Sequence, residues 1–193
     1  MAGEDVELYF DLGSPYAHLA VARAEGVLGK PPLLRPVLLG AIFAARGFGS
    51  WSQSAQREGR IAELEGRAAR YGVPPFVWPE SWPLDGLAAM RACVWAEGQG
   101  GLDRFARAAF AHEFGRGEDI SAVAALAAIA TEVGLPGDEL EAAVASTPVK
   151  ARLRELTEQA WERGVRGVPT VAVGETLIYG DDQLEQVPLI LAG

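Results

Sequence analysis

Residues 6–17 read VELYFDLGSPYA and carry two structural signals in immediate succession. The first six residues mix alternation with aromatic side chains, which is typical of a short buried strand. The next three residues interrupt that strand. Ser14 followed by Pro15 then favours a helix start, because serine is a preferred N-cap and proline suits the first helical position. The apolar spacing beyond it predicts a helix that ends near Gly29.

A second strand is predicted at residues 33–39, so the N-terminal part reads strand, helix, strand. Such a βαβ unit has parallel strands and a right-handed crossover. At the other end of the chain, strands are predicted at 169–173 and 177–179. A helix from Gly180 to about Leu191 follows them, with acidic residues in its first turn.

The intervening segment is rich in alanine and poor in strand signals. Its helical patterns, separated by breaks that contain glycine and proline, fall at about 53–71, 84–97, 102–114, 120–133, 138–145 and 148–163. This order predicts an α/β protein with a thioredoxin-like fold and an all-helical domain inserted between the βαβ and ββα halves. We expect residues 1–40 and 151–193 to form the thioredoxin-like domain and residues 41–150 to form the inserted helical domain.

The composition limits the classes of partner. The chain has 193 residues, of which 49% are hydrophobic, and a formal net charge of -9. The apolar content suits a packed core and is too high for a disordered chain. A negative charge without a basic tract argues against nucleic acid and membrane surfaces as partners, because both attract clustered cations. The acidic N-terminus has no secretory pattern, so we expect a soluble, cytoplasmic protein.

Cysteine and histidine content limits the chemistry. One cysteine, Cys93, excludes an intrachain disulfide, and together with two histidines it predicts no metal site. Ser14 takes the position of the attacking cysteine of a thioredoxin-fold redox protein, and Ala17 takes that of the second cysteine. Disulfide exchange through a CxxC motif is therefore not expected. A hydroxyl and free N–H groups remain at a helix N-terminus, which favours an anion, although a serine at this position, taken alone, is more often a plain helix cap.

Two further segments could face this helix start. The sequence GVPT at 167–170 places a proline at a strand start, which is ordinarily an edge marker. In thioredoxin folds, however, a cis proline lies here, and Val168 would pair through its backbone with an extended thiol ligand. The sequence YGDDQLE at 179–185 fits a turn with an acidic helix start. It fits equally a site where Asp182 and nearby amides hold the ammonium and carboxylate of a γ-glutamyl group.

Five stretches taken in order, YFDLGSPYA, RPVLLGAIF, LAAMR, GVPT and YGDDQLE, resemble the 2-hydroxychromene-2-carboxylate isomerase family. Its members are relatives of kappa-class glutathione transferases within the DsbA-like thioredoxin superfamily. The resemblance runs from about Val6 to about Val187. It implies a glutathione-dependent isomerase, or a related transferase, whose Ser14 hydrogen-bonds the sulfur of glutathione. The thiolate would add to a conjugated carbon of the substrate and leave again after bond rotation. The resemblance also implies a homodimer.

The resemblance and the aromatic residues of the insertion give two groups of site residues. The glutathione-binding group is Ser14, Val168, Pro169, Gly180, Asp181 and Asp182. The group expected around a hydrophobic electrophile is Tyr16, Phe43, Arg46, Trp51, Trp82 and Asp85. Three other aromatic residues, Phe48, Phe76 and Trp78, could line the same pocket or pack between helices.

Three positions depart from the family pattern. Ala44 stands where a substrate-facing lysine is common, with Arg46 two residues further on. Asp85 stands where an asparagine is expected, and Gln183 replaces a common arginine. These departures keep a second hypothesis open: a non-catalytic thioredoxin-fold protein that binds a small molecule or a thiol peptide.

Overall fold

The computed structural model describes residues 5–47 and 49–191, and its four strands form one mixed sheet. The strands are β1 (Val6–Phe10), β2 (Leu33–Pro36), β3 (Thr170–Val173) and β4 (Thr176–Tyr179), in the order β2-β1-β3-β4. Strand β1 pairs parallel with β2 and antiparallel with β3, and β3 pairs antiparallel with β4. The two halves of the predicted thioredoxin-like fold therefore meet between β1 and β3.

Within the described residues, the α-helices are α1 (Pro15–Leu28), α2 (Leu39–Arg46), α3 (Arg57–Tyr71), α4 (Leu87–Gly98), α5 (Leu102–Phe110), α6 (Val123–Glu132), α7 (Leu140–Ala145), α8 (Thr147–Arg163) and α9 (Val187–Leu191). Short 3-10 helices lie at Trp51–Gln53, Gly137–Glu139 and Asp181–Gln186, and a π-helical turn lies at Ala111–Gly115. The segment between β2 and β3 is helical apart from its connecting loops, which agrees with the predicted helical insertion.

Several predicted boundaries differ from the structure. Strand β2 ends at Pro36 and helix α2 begins at Leu39, because an apolar run of this length fits a strand or a helix equally well. The pattern at 84–97 begins too early, since the chain stays irregular until Leu87 after a cis bond between Trp82 and Pro83. The expected last helix is a 3-10 helix followed by the short α9.

Helix α1 is held at both ends by the residues that its sequence predicts. Ser14 is the N-cap, with extended backbone and its side chain accepting from the Ala17 N–H, and Pro15 follows it. Gly29 ends the helix with a φ of 72°, a left-handed conformation that costs glycine little. The rigid N-terminus of α1 is therefore fixed at the end of β1.

One buried cluster runs from the sheet into the helical insertion. Phe10 of β1 lies against Phe110 of α5 with ring centroids 6.1 Å apart. Helix α8 is tied to the sheet by Arg163, which contacts Glu7 and the hydroxyl of Tyr9 in β1. The proposed division into residues 1–40 with 151–193 and residues 41–150 stays a prediction. None of the helices in the described part of the chain is both long and apolar enough to cross a bilayer.

Candidate active site

Ser14 lies where β1 passes into α1. It is 4% exposed, its N–H donates to the Asp11 carbonyl at 3.0 Å, and its Oγ accepts from the Ala17 N–H at 3.2 Å. A serine hydroxyl can donate one hydrogen bond as well as accept. No acceptor for the Ser14 proton lies among residues 5–47 and 49–191. The hydroxyl therefore combines a helix cap with an unused donor.

The loop before β3 contains the second predicted segment. The bond between Val168 and Pro169 is cis, as the sequence predicts. The Gly180 N–H donates to the Pro169 carbonyl at 3.0 Å. This bond joins the loop to the start of residues 179–185, here called the acidic segment. Within the described residues, the N–H and the carbonyl of Val168 have no backbone partner. They are available to an extended ligand in the way that a sheet edge is.

These segments line a cavity of about 640 Å³, here called the arginine pocket because Arg46, Arg60 and Arg67 are in its wall. A cavity of about 300–1,000 Å³ is usual for a small-molecule site. All six residues predicted to bind glutathione line it: Ser14, Val168, Pro169, Gly180, Asp181 and Asp182. Four of the six residues predicted for the electrophile also line it: Tyr16, Phe43, Arg46 and Trp51.

A second cavity, of about 540 Å³, adjoins the first and is called the acidic pocket because Asp11 and Asp85 are in its wall. The other two residues predicted for the electrophile, Trp82 and Asp85, line this cavity and are absent from the wall of the first. Four residues belong to both walls: Ser14, Leu39, Phe43 and Trp51. Ser14 therefore stands at the junction of the two pockets.

The wall of the arginine pocket contains an ion-pair network that the sequence analysis did not predict. Arg67 of α3 donates to the Asp181 carboxylate at 2.6 Å and to Glu63 at 2.5 Å, and its guanidinium lies 3.5 Å from Asp182. Burial raises the pKa of Asp181, and the nearby Arg67 charge opposes that rise. The second carboxylate oxygen of Asp181 is buried and has no partner in the described chain. The network positions the acidic segment against α3.

Arg60 and Arg67 could have been found from their spacing. With Glu63 they stand at i, i+3 and i+7, which places all three on one face of α3. The Tyr16 hydroxyl lies near that face, and burial is the main cause of the raised pKa of Tyr16. Arg60 is the polar group beside that hydroxyl, and its charge opposes the rise. The spacing does not indicate, however, that this face of α3 contacts Asp181 and Asp182.

Asp11 lines the acidic pocket and connects two parts of its wall, the turn at Gly13 and the start of α2. Its buried carboxylate accepts from the N–H of Gly13 at 2.9 Å and from the N–H of Leu39 at 2.8 Å. Burial raises the pKa of Asp11 to about 6, while the two backbone hydrogen bonds lower it. The side chain thus holds the turn before Ser14 to the start of α2. From the sequence alone, Asp11 is predicted only to end a strand.

The aromatic residues of the insertion separate into two sets. Trp51 lies against Tyr16 at 5.9 Å and against Trp82 at 5.5 Å, and these rings form pocket wall. Phe76 and Trp78 stack on one another at 4.8 Å and pack against Phe114 of the core. The Trp78 ring also lies 4.9 Å from that of Trp82, so the two sets are in contact. Phe48 lies outside the described residues.

Two other reactive side chains are in apolar surroundings. His18 packs among Phe76, Phe110 and Phe114, and burial lowers its pKa to about 4. Cys93 is fully buried in α4, and burial raises the pKa of its thiol. Neither residue lines the two pockets. Within residues 5–47 and 49–191, no three His, Cys, Asp or Glu side chains are grouped to hold a metal ion.

The sheet, the serine at the start of α1 and the cis-proline loop define a thioredoxin-fold protein without the usual redox cysteines. The chain belongs to the family described as DSBA-like thioredoxin domain, which matches residues 5–192. It is 29% identical to 2-hydroxychromene-2-carboxylate isomerase from Sphingobium xenophagum, over 93% of this chain and 94% of that protein. It is 27% identical to glutathione S-transferase kappa 1 from Homo sapiens, over 96% of this chain and 90% of that protein.

The fold agrees with these relatives. A structure of 2-hydroxychromene-2-carboxylate isomerase superimposes with a TM-score of 0.86 and 22% sequence identity, covering 97% of this chain and 94% of the other. The resemblance drawn from the five sequence stretches is thereby confirmed at the level of family and fold. Both relatives are named as enzymes, an isomerase and a glutathione transferase.

Proposed function

We propose that this chain is a glutathione-dependent isomerase, or a related glutathione transferase, that acts on a hydrophobic, aromatic-type electrophile. The names of its two relatives support a glutathione-related function of this kind. The observation that carries the proposal is the position of Ser14 at the junction of two adjoining pockets. An enzyme that joins a thiol to a second molecule needs one donor group within reach of both.

The arginine pocket suits glutathione chemically. Glutathione carries two carboxylates, one ammonium group and a thiol. Arg60 and Arg67 offer guanidinium groups to a carboxylate, and the half-exposed Asp182 offers a carboxylate to the ammonium group. The unpaired backbone of Val168 suits the cysteinyl unit, as an added strand suits a sheet edge. The residues present therefore fit glutathione, which the transferase relative has in its name.

Ser14 has the role of a donor to sulfur in this proposal. Its unused O–H, at the N-terminus of α1, favours a negative charge at the position where a thiol would be held. The thiol of free glutathione, with a pKa near ~8.5, is mostly protonated at neutral pH. When bound, glutathione supplies a nucleophile that adds to a conjugated carbon and leaves again, or remains in the product.

The acidic pocket has the role of the electrophile site. Phe43, Trp51 and Trp82 give it aromatic walls, which suit a flat apolar molecule. Asp11 ties the turn at Gly13 to the start of α2 through two backbone N–H groups, which fixes two parts of the pocket wall relative to each other. The partners proposed are a small-molecule thiol and a hydrophobic electrophile. A cytoplasmic homodimer remains part of the proposal.

Calorimetric titration with glutathione tests the proposal. We expect binding at millimolar concentration or below. At about pH 7 binding should release up to one proton, because a free thiol with a pKa of ~8.5 would become a bound thiolate. Repeating the titration in buffers of different ionisation enthalpy measures that release.

S-methylglutathione is the matched control, because it has no thiol proton to lose. It should bind with no comparable proton release. No detectable heat from millimolar glutathione would contradict the proposal, and so would equal proton counts for the two ligands. Binding with proton release but no turnover of any aromatic electrophile would favour the non-catalytic binding protein instead.

A further inference from the structure

The two pockets that meet at Ser14 differ in charge. The arginine pocket has three cationic side chains, Arg46, Arg60 and Arg67, beside the carboxylates of Asp181 and Asp182. The acidic pocket has Asp11 and Asp85 in its wall, and no Lys, Arg or His among the described residues that line it. The cationic side chains therefore lie on one side of Ser14, in the arginine pocket, and the other side of Ser14 has only acids as charged groups among its described lining residues.

One cation beside the acidic pocket, Arg57, is engaged by residues of the pocket wall. Arg57 of α3 donates to the carbonyl oxygens of Trp82 at 2.9 Å and Ser52 at 3.3 Å. Its guanidinium lies 5.1 Å from the Trp82 ring centroid and is not in the pocket wall. Two hydrogen bonds to carbonyls hold this group against the Trp82 ring and outside the set of residues that line the pocket.

The two acids of the acidic pocket are fixed in place. Asp85 is exposed, and its Oδ1 accepts from the Leu87 N–H at 3.1 Å at the start of α4. Asp11 is held by the N–H groups of Gly13 and Leu39. Backbone hydrogen bonds of this kind hold both carboxylates in fixed positions, and those to Asp11 partly offset the burial that raises its pKa. A ligand in the pocket therefore meets fixed negative charge and aromatic rings.

We propose that the acidic pocket takes an aromatic ligand that is neutral or cationic and discriminates against one that carries a carboxylate. The inference rests on the proposed function for the idea that this ligand is the electrophile. A like charge placed near Asp85 is repelled, whereas a cation is attracted by the acids and by the faces of Trp51 and Trp82. The substrate class would then differ from the carboxylate in the name of the isomerase relative.

Three matched ligands test this inference: phenylpropanamide, phenylpropanoate and phenylpropylammonium. Their binding to the full chain can be followed by tryptophan fluorescence, since Trp51 and Trp82 line the pocket, with Trp51→Phe to assign the signal. No glutathione is added. At neutral pH we expect the carboxylate to bind at least about tenfold more weakly than the amide, and the ammonium ligand to bind as well as the amide or better.

The variant Asp85→Asn removes one charge and retains an oxygen that can accept from the Leu87 N–H. It should reduce the amide-to-carboxylate ratio of affinities by about threefold to tenfold. Asp138→Asn is the control, because Asp138 is exposed near α7 and lines neither pocket. It changes the net charge equally and should leave the ratio unchanged.

Each other outcome overturns the inference. Equal or tighter binding of the carboxylate would show that the wall does not select against anions. An unchanged ratio in Asp85→Asn would remove the assigned cause. No fluorescence response to any of the three ligands would exclude an aromatic occupant. These measurements contain no glutathione. A negative result here therefore leaves the proposed thiol site intact, and a chain that fails to bind glutathione can still be tested for its preference between the three ligands.

Discussion

Replacement of Arg67 by methionine probes the ion-pair network that positions the acidic segment. Methionine retains an unbranched apolar stem of similar length and removes the guanidinium. Asp181 is 1% exposed and accepts its 2.6 Å hydrogen bond from Arg67, which is 14% exposed. Removing one partner of a buried pair leaves an uncompensated charge and costs about 3–5 kcal/mol of folding stability. We expect Arg67→Met to lose an amount in this range at about pH 7.5.

The dependence on pH follows from Asp181. Burial already raises its pKa, and loss of the Arg67 charge raises that pKa further. An acid whose pKa is higher in the folded state destabilises the fold as pH rises above the pKa of the unfolded carboxyl, about 3.9. The difference between wild type and Arg67→Met should therefore be largest at neutral and higher pH. It should shrink toward about pH 4, where Asp181 binds a proton in the variant.

Urea unfolding at several pH values measures both effects. Arg152→Met is the matched control, because Arg152 forms an exposed pair with Glu155 three residues along α8. Exposed pairs contribute about 0–1 kcal/mol. If Arg67→Met loses no more stability than Arg152→Met, or loses the same amount at every pH, then Arg67 does not compensate a buried charge and the reasoning is refuted.

Two further predictions concern buried groups outside the pockets. Glu113 is 1% exposed with both carboxylate oxygens unpartnered in the described chain, and burial raises its pKa well above the usual range. Between the unfolded and folded pKa values of this carboxyl, Glu113→Gln should therefore gain stability over wild type by up to about 1.4 kcal/mol per pH unit. A difference in urea midpoint between variant and wild type that is the same at about pH 5 and pH 8 would count against this. Cys93 should not react with an aromatic disulfide reagent in the native protein and should react once unfolded, because burial disfavours its thiolate; rapid native reaction would contradict its position in α4.

Much of the site was predictable because its parts are continuous in sequence. The strand end, the break and the Ser14-Pro15 helix start are neighbours in the chain, so local capping rules place the hydroxyl at a helix N-terminus. The same holds for the proline before β3. To predict that the Ser14 helix start and this proline loop face each other, only the order of the strands is needed. The βαβ and ββα patterns supply that order.

The remainder depends on pairings between distant residues. Arg67 and Asp181 are separated by more than a hundred positions, and nothing local in either segment indicates the other. The role of Asp11 requires that α2 begin at Leu39, within a run whose apolar residues fit either type of element. Division of the aromatic residues between wall and core likewise depends on where the loops of the insertion run, which their composition does not indicate.

The role of Ser14 in stabilising a bound thiolate is tested most directly by the ultraviolet absorbance of glutathione bound to wild type and to Ser14→Ala, followed against pH. Loss of one charge-assisted hydrogen bond costs about 1.5–3 kcal/mol, which corresponds to an upward shift of about 1–2 units in the pKa of the bound thiol. Turnover, where an electrophile is accepted, should fall by about one to two orders of magnitude. Binding of S-methylglutathione should change much less.

Ser146→Ala separates this effect from the loss of a helix cap. Ser146 caps α8, with a proline in the first turn and its Oγ accepting from the Val149 N–H, and it lines neither pocket. Each variant should lose about 1 kcal/mol of folding stability from its missing cap. We expect that only Ser14→Ala raises the titration midpoint of the bound thiol. Equal midpoints in wild type, Ser14→Ala and Ser146→Ala would contradict it and leave Ser14 as a helix cap.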